Sequence, residues 1–156
     1  MNRMTSLEAR IPPPVVALVI ALAMWGIFRV EPVLPTPAAL RLSAAAAILL
    51  VGIGFSIAGM RAFRHAQTTV NPMRPELASS LVTSGVYRIT RNPMYVGLSC
   101  DLFAWAVYLS SAWALLGPVA FVLYVGRFQI EPEERTLAKL FGDDYSAYQA
   151  KVRRWL

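Results

Sequence analysis

The sequence predicts an all-α integral membrane protein: about four transmembrane helices followed by short cytoplasmic C-terminal helices. Three observations lead there. The 156 residues are 56% hydrophobic and only 15% charged, whereas a soluble domain is usually about 45–50% apolar and about 25% charged. The apolar residues are gathered into runs approaching the ~20 residues that span a bilayer as a helix. Lys and Arg collect in two of the connections and are missing from the other two. No polar segment is long enough to bury a core of its own, so one domain over residues 1–156 is expected.

Pro12-Pro13-Pro14 opens the first span, about residues 13–30, because proline suits a first helical turn where its missing N–H goes unused. The basic start and apolar run resemble a secretory leader, but no small-residue cleavage site follows before Arg29-Val30-Glu31, so an uncleaved helix is expected. The prolines of Glu31-Pro32-Val33-Leu34-Pro35-Thr36-Pro37 force a turn. The second span, about 38–60, contains Gly52, Gly54 and Gly59, and small residues let membrane helices approach closely. Residues 61–92 form the one long polar loop. Pro93 starts the third span, about 93–109, Ser110-Ser111 turns the chain, and a fourth span, about 112–130, returns with a kink expected at Gly117-Pro118. The tail, 131–156, reads as two short helices divided by Gly142 as a C-cap.

The loop 61–92 and the tail are rich in arginine, while the turns at 31–37 and 110–111 have no basic residue. The positive-inside rule then places both termini and the long loop in the cytoplasm, for a bacterial chain at the inner membrane. The net charge of +6 fits topology and contact with membrane lipids. It does not form the basic stripe with stacking aromatics that nucleic-acid binding needs, so no nucleic-acid partner is expected. One cysteine, Cys100, and one histidine, His65, cannot build a zinc site, and no metal is expected.

Orientation brings two polar groups together. Tyr87-Arg88-Ile89-Thr90-Arg91-Asn92-Pro93-Met94-Tyr95-Val96-Gly97 lies at the mouth of the third span, and Glu133-Glu134 follows the fourth. Charged residues at such a place are costly unless they bind something. Asn92 is positioned to cap the helix that starts at Pro93, and Arg91 and Tyr95 are four residues apart. Free amides at a helix start favour a carboxylate; the two glutamates offer acceptors for an amine or hydroxyls; Tyr87 and Tyr95 suit a cation. S-adenosylmethionine combines amino acid, ribose, adenine and sulfonium, and on charge logic it is one option among several cofactors. Arg91 and Arg127 also fit the bland role of membrane-edge residues with their heads in water, and Glu133-Glu134 that of acids in a first helical turn. Asp101, about two turns into the third span, is expected either to pair with Arg41, Ser99 or another helix, or to face the cofactor cavity.

Residues 81–97, beginning Leu81-Val82-Thr83-Ser84-Gly85-Val86-Tyr87, closely resemble the cofactor motif of the isoprenylcysteine carboxyl methyltransferase family, itself similar to the phospholipid N-methyltransferases. Glu133-Glu134, Leu137, Leu140-Phe141-Gly142, Tyr145, Tyr148, Val152 and Arg154-Trp155 are spaced like its second motif, and Thr68-Thr69-Val70-Asn71-Pro72 resembles the bacterial members. The resemblance implies a small helical membrane methyltransferase binding S-adenosylmethionine through Leu81, Val82, Gly85, Tyr87, Arg91, Asn92, Pro93, Tyr95, Glu133 and Glu134, with a lipophilic substrate arriving from the bilayer. Many members have histidine where this chain has Asn92, which cannot take up a proton near neutral pH. Methyl transfer depends mainly on in-line positioning and desolvation. A carboxylate acceptor would be held by an arginine, with Arg127 the candidate; an amine acceptor would lose its proton with help from Glu131 or Glu133. O-methylation and lipid amine N-methylation both remain open. Two other classes compete: an NADPH-dependent membrane reductase, since sterol reductases resemble this superfamily in their C-terminal region, and a non-enzymatic membrane scaffold.

Overall fold

The computed structural model describes residues 8, 10–30, 34–67 and 75–156. Glu31, Pro32 and Val33 of the first turn, the Thr68-Thr69-Val70-Asn71-Pro72 motif and Arg74 lie outside the described residues. The described chain is helical, with no strand among those residues. Five α-helices follow in order: α1 (Pro13–Phe28), α2 (Ala38–His65), α3 (Pro93–Leu109), α4 (Leu116–Val125) and α5 (Glu131–Lys151).

Helix α3 is the centre, packing against α1, α2 and α4. Its contact with α2 is intimate because both helices present glycine. A Cβ on Gly52 would run into the Asp101 carboxylate and come 2.8 Å from the Gly97 carbonyl; one on Gly97 would meet the Ser56 hydroxyl and come 2.7 Å from the Gly52 carbonyl. Gly59 likewise admits Met94 and Pro93. This is the small-residue approach that membrane helices use in place of a hydrophobic drive between them. On the other side, Val16, Met24, Leu102, Leu109, Phe121 and Val125 join α1, α3 and α4 into one apolar core. Met24 lies over Gly117, where any side chain would collide with it. The outer faces are left apolar: Leu18, Val19 and Leu22 of α1, Leu50 of α2 and Leu123 of α4 are all more than half exposed, as a lipid-facing surface requires.

Two helices are long and apolar enough to cross a membrane, Ala38–His65 and the run Trp113–Lys151, which is broken at Gly142. Helices α1 and α3 are apolar but shorter, 16 and 17 residues. Helix α2 outruns its expected end at residue 60 and stops at His65, because Arg61 and Arg64 are tolerated at a helix end; the chain turns away at Gln67, which is left-handed at φ 50°. Leu34 donates its amide to the Ser110 carbonyl at 2.8 Å, and the Thr36 and Ser110 hydroxyls lie 2.8 Å apart. The two turns without basic residues therefore sit side by side at one end.

The fourth span departs from expectation. Pro118 falls in the first turn of α4, where it is harmless, and the irregularity lies instead in a π-helical turn at Gly126–Ile130. Helix α5 then follows without a break as far as Phe141, so the first part of the tail continues the helix that precedes it, and only the part beyond Gly142 is a separate element. Pro132 explains the location. It has no N–H for the carbonyl of Phe128, and its ring crowds that carbonyl; the wider π turn opens the ladder there. Gly142 divides α5 at φ 49°, as its reading as a C-cap predicts.

Candidate active site

The end of the bundle opposite Ser110 gathers most of the predicted site. Gly85, left-handed at φ 60°, opens a 3-10 turn over Gly85–Arg88 that delivers Tyr87 inward. Val82 and Tyr87 pack with Ala62, Tyr145, Tyr148 and Val152, and Leu81 borders this cluster. The last turn of α2, beyond its expected end, supplies Ala62 and also Phe63, whose ring meets Tyr87 edge-on at 5.4 Å. Tyr148 donates its hydroxyl to the Tyr87 carbonyl at 2.7 Å. Burial pushes the hydroxyls of Tyr87 and Tyr148 above the usual phenol range, and that of Tyr145 up to about 12. All three are neutral near pH 7 and act as hydrogen-bonding walls, not as bases.

Arg91 precedes α3, so it does not share a helical face with Tyr95. The two side chains converge because their partners are neighbours in sequence. Arg91 Nη2 lies 3.2 Å from Glu134 Oε1, and Tyr95 donates its hydroxyl to Glu133 Oε2 at 3.1 Å. Gln129, buried in the π turn, also hydrogen-bonds Tyr95. Gln129 belongs to the π turn that precedes α5, and π bulges are frequent at functional sites.

Asn92 does not cap α3 with its side chain. Its amide group instead donates to the Arg154 carbonyl at 2.9 Å, while the buried Thr90 hydroxyl donates to that same carbonyl at 3.2 Å and accepts the Asn92 amide N–H at 3.1 Å. Arg91 N–H donates to the Arg153 carbonyl at 3.0 Å. The Arg154 guanidinium grips Glu134 with Nη2 at 2.6 Å and Nε at 3.2 Å. The C-terminal residues thus fasten both motifs together. Arg154 belonged to the tail pattern, but nothing in its spacing assigns it this role, and Thr90 and Gln129 carried no signal beyond their neighbours.

The charges do not cancel. Glu134 faces two guanidiniums, and Arg91 keeps two buried donors, Nε and Nη1, without a partner. Buried unpaired donors are rare and costly, and these suit an anionic group such as a carboxylate. Glu133 is different. Burial pushes its carboxyl up to about 7, with the Tyr95 hydrogen bond acting the other way and Glu134 adding to the rise. Near neutral pH it is therefore partly ionised, and its carboxylate form can pair with a cation or accept a proton from an amine. The site residues fit a zwitterionic amino-acid group, with Arg91 for its carboxylate and Glu133 for its cationic part. Among the described residues no group of His, Cys, Asp or Glu could hold a metal ion.

Arg127 and Asp101 are placed elsewhere. Arg127 pairs with Glu131 and with Glu8, each at 3.2 Å, and not with the Arg91–Glu134 group. Asp101 stands against Gly52 with one carboxylate oxygen buried and unpartnered, while the Arg41 guanidinium lies over Tyr108 at 5.7 Å. The expected pairing of Asp101 with Arg41 is therefore not made.

A family profile described as phospholipid methyltransferase matches residues 40–144. The chain is 46% identical over 63 residues to an uncharacterized protein of Haemophilus influenzae, covering 40% of this chain and all of that one. It is 31% identical over 143 residues to a protein-S-isoprenylcysteine O-methyltransferase of Rattus norvegicus, covering 86% of this chain and 48% of the relative. A protein of the same description from Schizosaccharomyces pombe is 38% identical over 79 residues, 46% of this chain and 30% of that one. The chain spans about half or less of the length of these O-methyltransferases. No solved structure matches it significantly. With two thirds of its length inside the profile and both motifs converging on one site, this chain belongs to the phospholipid methyltransferase family, a family of methyltransferase enzymes.

Proposed function

We propose that the protein transfers a methyl group from S-adenosylmethionine to a lipophilic acceptor, an acid or an amine, delivered by the membrane. The observation that supports this most strongly is Arg91: a guanidinium fixed by Glu134 with two buried donors unpartnered. Arg91 would hold the amino-acid carboxylate. Glu133, with Tyr95 beside it, would take the cationic part, and Tyr87 and Val82 would wall the pocket. Bound there, S-adenosylmethionine supplies an electrophilic methyl. The chain's own contribution is positioning and exclusion of water. Arg154 and Tyr148 tie the cover of the site to its floor. Asn92 is already engaged with Arg154, so it acts as a structural hydrogen-bond donor and no proton acceptor is needed at that position.

In this reading four spans cross a bacterial inner membrane, with the site and both termini cytoplasmic, and the part of α5 beyond Gly142 folds over the site. The acceptor enters from the lipid, past the apolar outer faces of the bundle. Arg127, at the end of the apolar run, would meet an acidic acceptor, and Glu133 would relieve an amine of its proton. Purified protein in detergent, titrated calorimetrically with S-adenosylhomocysteine and separately with NADPH, tests the reading. Heat of binding from the first alone is expected; binding of NADPH alone would move the chain to the reductases, and binding of neither to a non-enzymatic role.

A further inference from the structure

The most buried carboxylate outside the site described above belongs to Glu8, whose side chain is only 3% exposed. Its two oxygens are divided between two arginines: Oε1 accepts from Arg127 Nη1 at 3.2 Å, and Oε2 from Arg135 Nη2 at 2.8 Å. Arg127 and Arg135 stand two turns apart at the start of the polar run and are each 46% exposed. Glu131 lies between them and pairs with Arg127. With Glu8 seated, Arg127 and Arg135 share its carboxylate; without it Arg127 keeps Glu131, and Arg135 loses this carboxylate. A fork of two guanidiniums holding one carboxylate is the arrangement that recognises carboxylate and phosphate. Here the group held comes from the chain itself, 119 residues before Arg127 and 127 before Arg135 in sequence.

We propose that Arg127 and Arg135 form an anion-binding site at the membrane edge, that Glu8 is its occupant in the resting protein, and that the anionic group of a membrane-borne amphiphile displaces it. The proposal rests on the acceptor being membrane-delivered, as above. Glu8 then acts as an internal competitor that keeps Arg127 away from non-cognate anions, and Arg135 selects for acceptors with an acidic head. The paired arginines are separate from the Arg91–Glu134 group, so cofactor and anion would bind independently.

Calorimetric titration of the full chain in detergent would use three short amphiphiles: a farnesylcysteine carboxylate, a dihexanoyl phosphatidic acid and neutral farnesol. Glu8→Gln should tighten the acidic probes roughly tenfold, leave farnesol unchanged, and leave S-adenosylhomocysteine affinity unchanged. Arg135→Gln should weaken the acidic probes by a similar factor. Whichever acidic probe responds more identifies the group as carboxylate or phosphate. The same affinity for acidic probes in wild type and Glu8→Gln, or an equal change for farnesol, would overturn the proposal. Glu8→Asp, which keeps the charge but shortens its reach, provides a second route should the glutamine variant fail to fold: it should show an intermediate gain. Loss of S-adenosylhomocysteine binding in the wild type would count against the methyltransferase reading alone, since the anion titrations do not depend on it.

Discussion

Replacing Glu134 by alanine removes the hub of the site. Its carboxylate accepts from Arg91 at 3.2 Å and from Arg154 at 2.6 and 3.2 Å. The Arg154 arm is 38% exposed, and an exposed pair contributes about 0–1 kcal/mol. The Arg91 arm is shielded, 12% and 13% exposed, and removing one partner of a buried pair costs about 3–5 kcal/mol because the other charge is left uncompensated. Arg91 already carries two unpartnered donors, so the pocket tolerates some unpaired charge, and the lower end, about 3 kcal/mol of stability, is expected. Cofactor binding should weaken by about 1.5–3 kcal/mol, since Arg91 is no longer aimed. Thermal unfolding in detergent followed by circular dichroism reads the first effect, and titration with S-adenosylhomocysteine the second. The Arg91→Ala, Glu134→Ala double variant should lose clearly less than the sum of the single losses. Additivity within about 0.5 kcal/mol would show that the two side chains do not work as a pair and would refute the reasoning.

Three further outcomes follow from the same geometry. The folded carboxyl of Glu133 titrates near 7 against 4.5 in an open chain, so the folded state holds a proton that the unfolded state loses; this stabilises the fold below about pH 4.5 and is lost as pH rises through 7, while affinity for a cationic ligand rises up to about pH 7 and then levels off. Glu133→Gln should abolish both trends in titrations across pH 5–8. Gly97→Val should prevent α2 and α3 from meeting, since even a Cβ there collides with Ser56, and size-exclusion profiles in detergent should show loss of the folded species, whereas Gly54→Ala, in open space, should be neutral. Methyl transfer to acceptors with one head group and increasing chain length should rise with length; indifference to length would rule out entry from the lipid.

The apolar helices, the turns at residues 34–37 and 110–111 and the limits of α3 follow from apolar runs, prolines and small residues, which act locally and are therefore visible in the chain. The pairing of Arg91 and Tyr95 with consecutive glutamates could be anticipated from the positive-inside count and an antiparallel hairpin, although the expected common helix face was the wrong reason. What stayed hidden depends on distant contacts. Asn92 reads as a cap because its own neighbours allow it, but the Arg154 carbonyl, 62 residues later, takes its amide. The apolar pattern runs through Val125 and Ile130 whether the backbone is α or π, so the π turn and the joining of α4 to α5 leave no mark in periodicity. Arg127 is a candidate by position alone; its partner Glu8 lies in a short polar segment with no pattern at all.

The most direct test of the central claim is transfer of radiolabelled methyl from S-adenosylmethionine into a bacterial membrane lipid extract by the purified protein, with Arg91→Ala in parallel. Label should enter the organic phase with the wild-type protein and fall at least tenfold with the variant. No organic-phase label from a folded wild-type protein, or equal label from the Arg91→Ala variant, would contradict it.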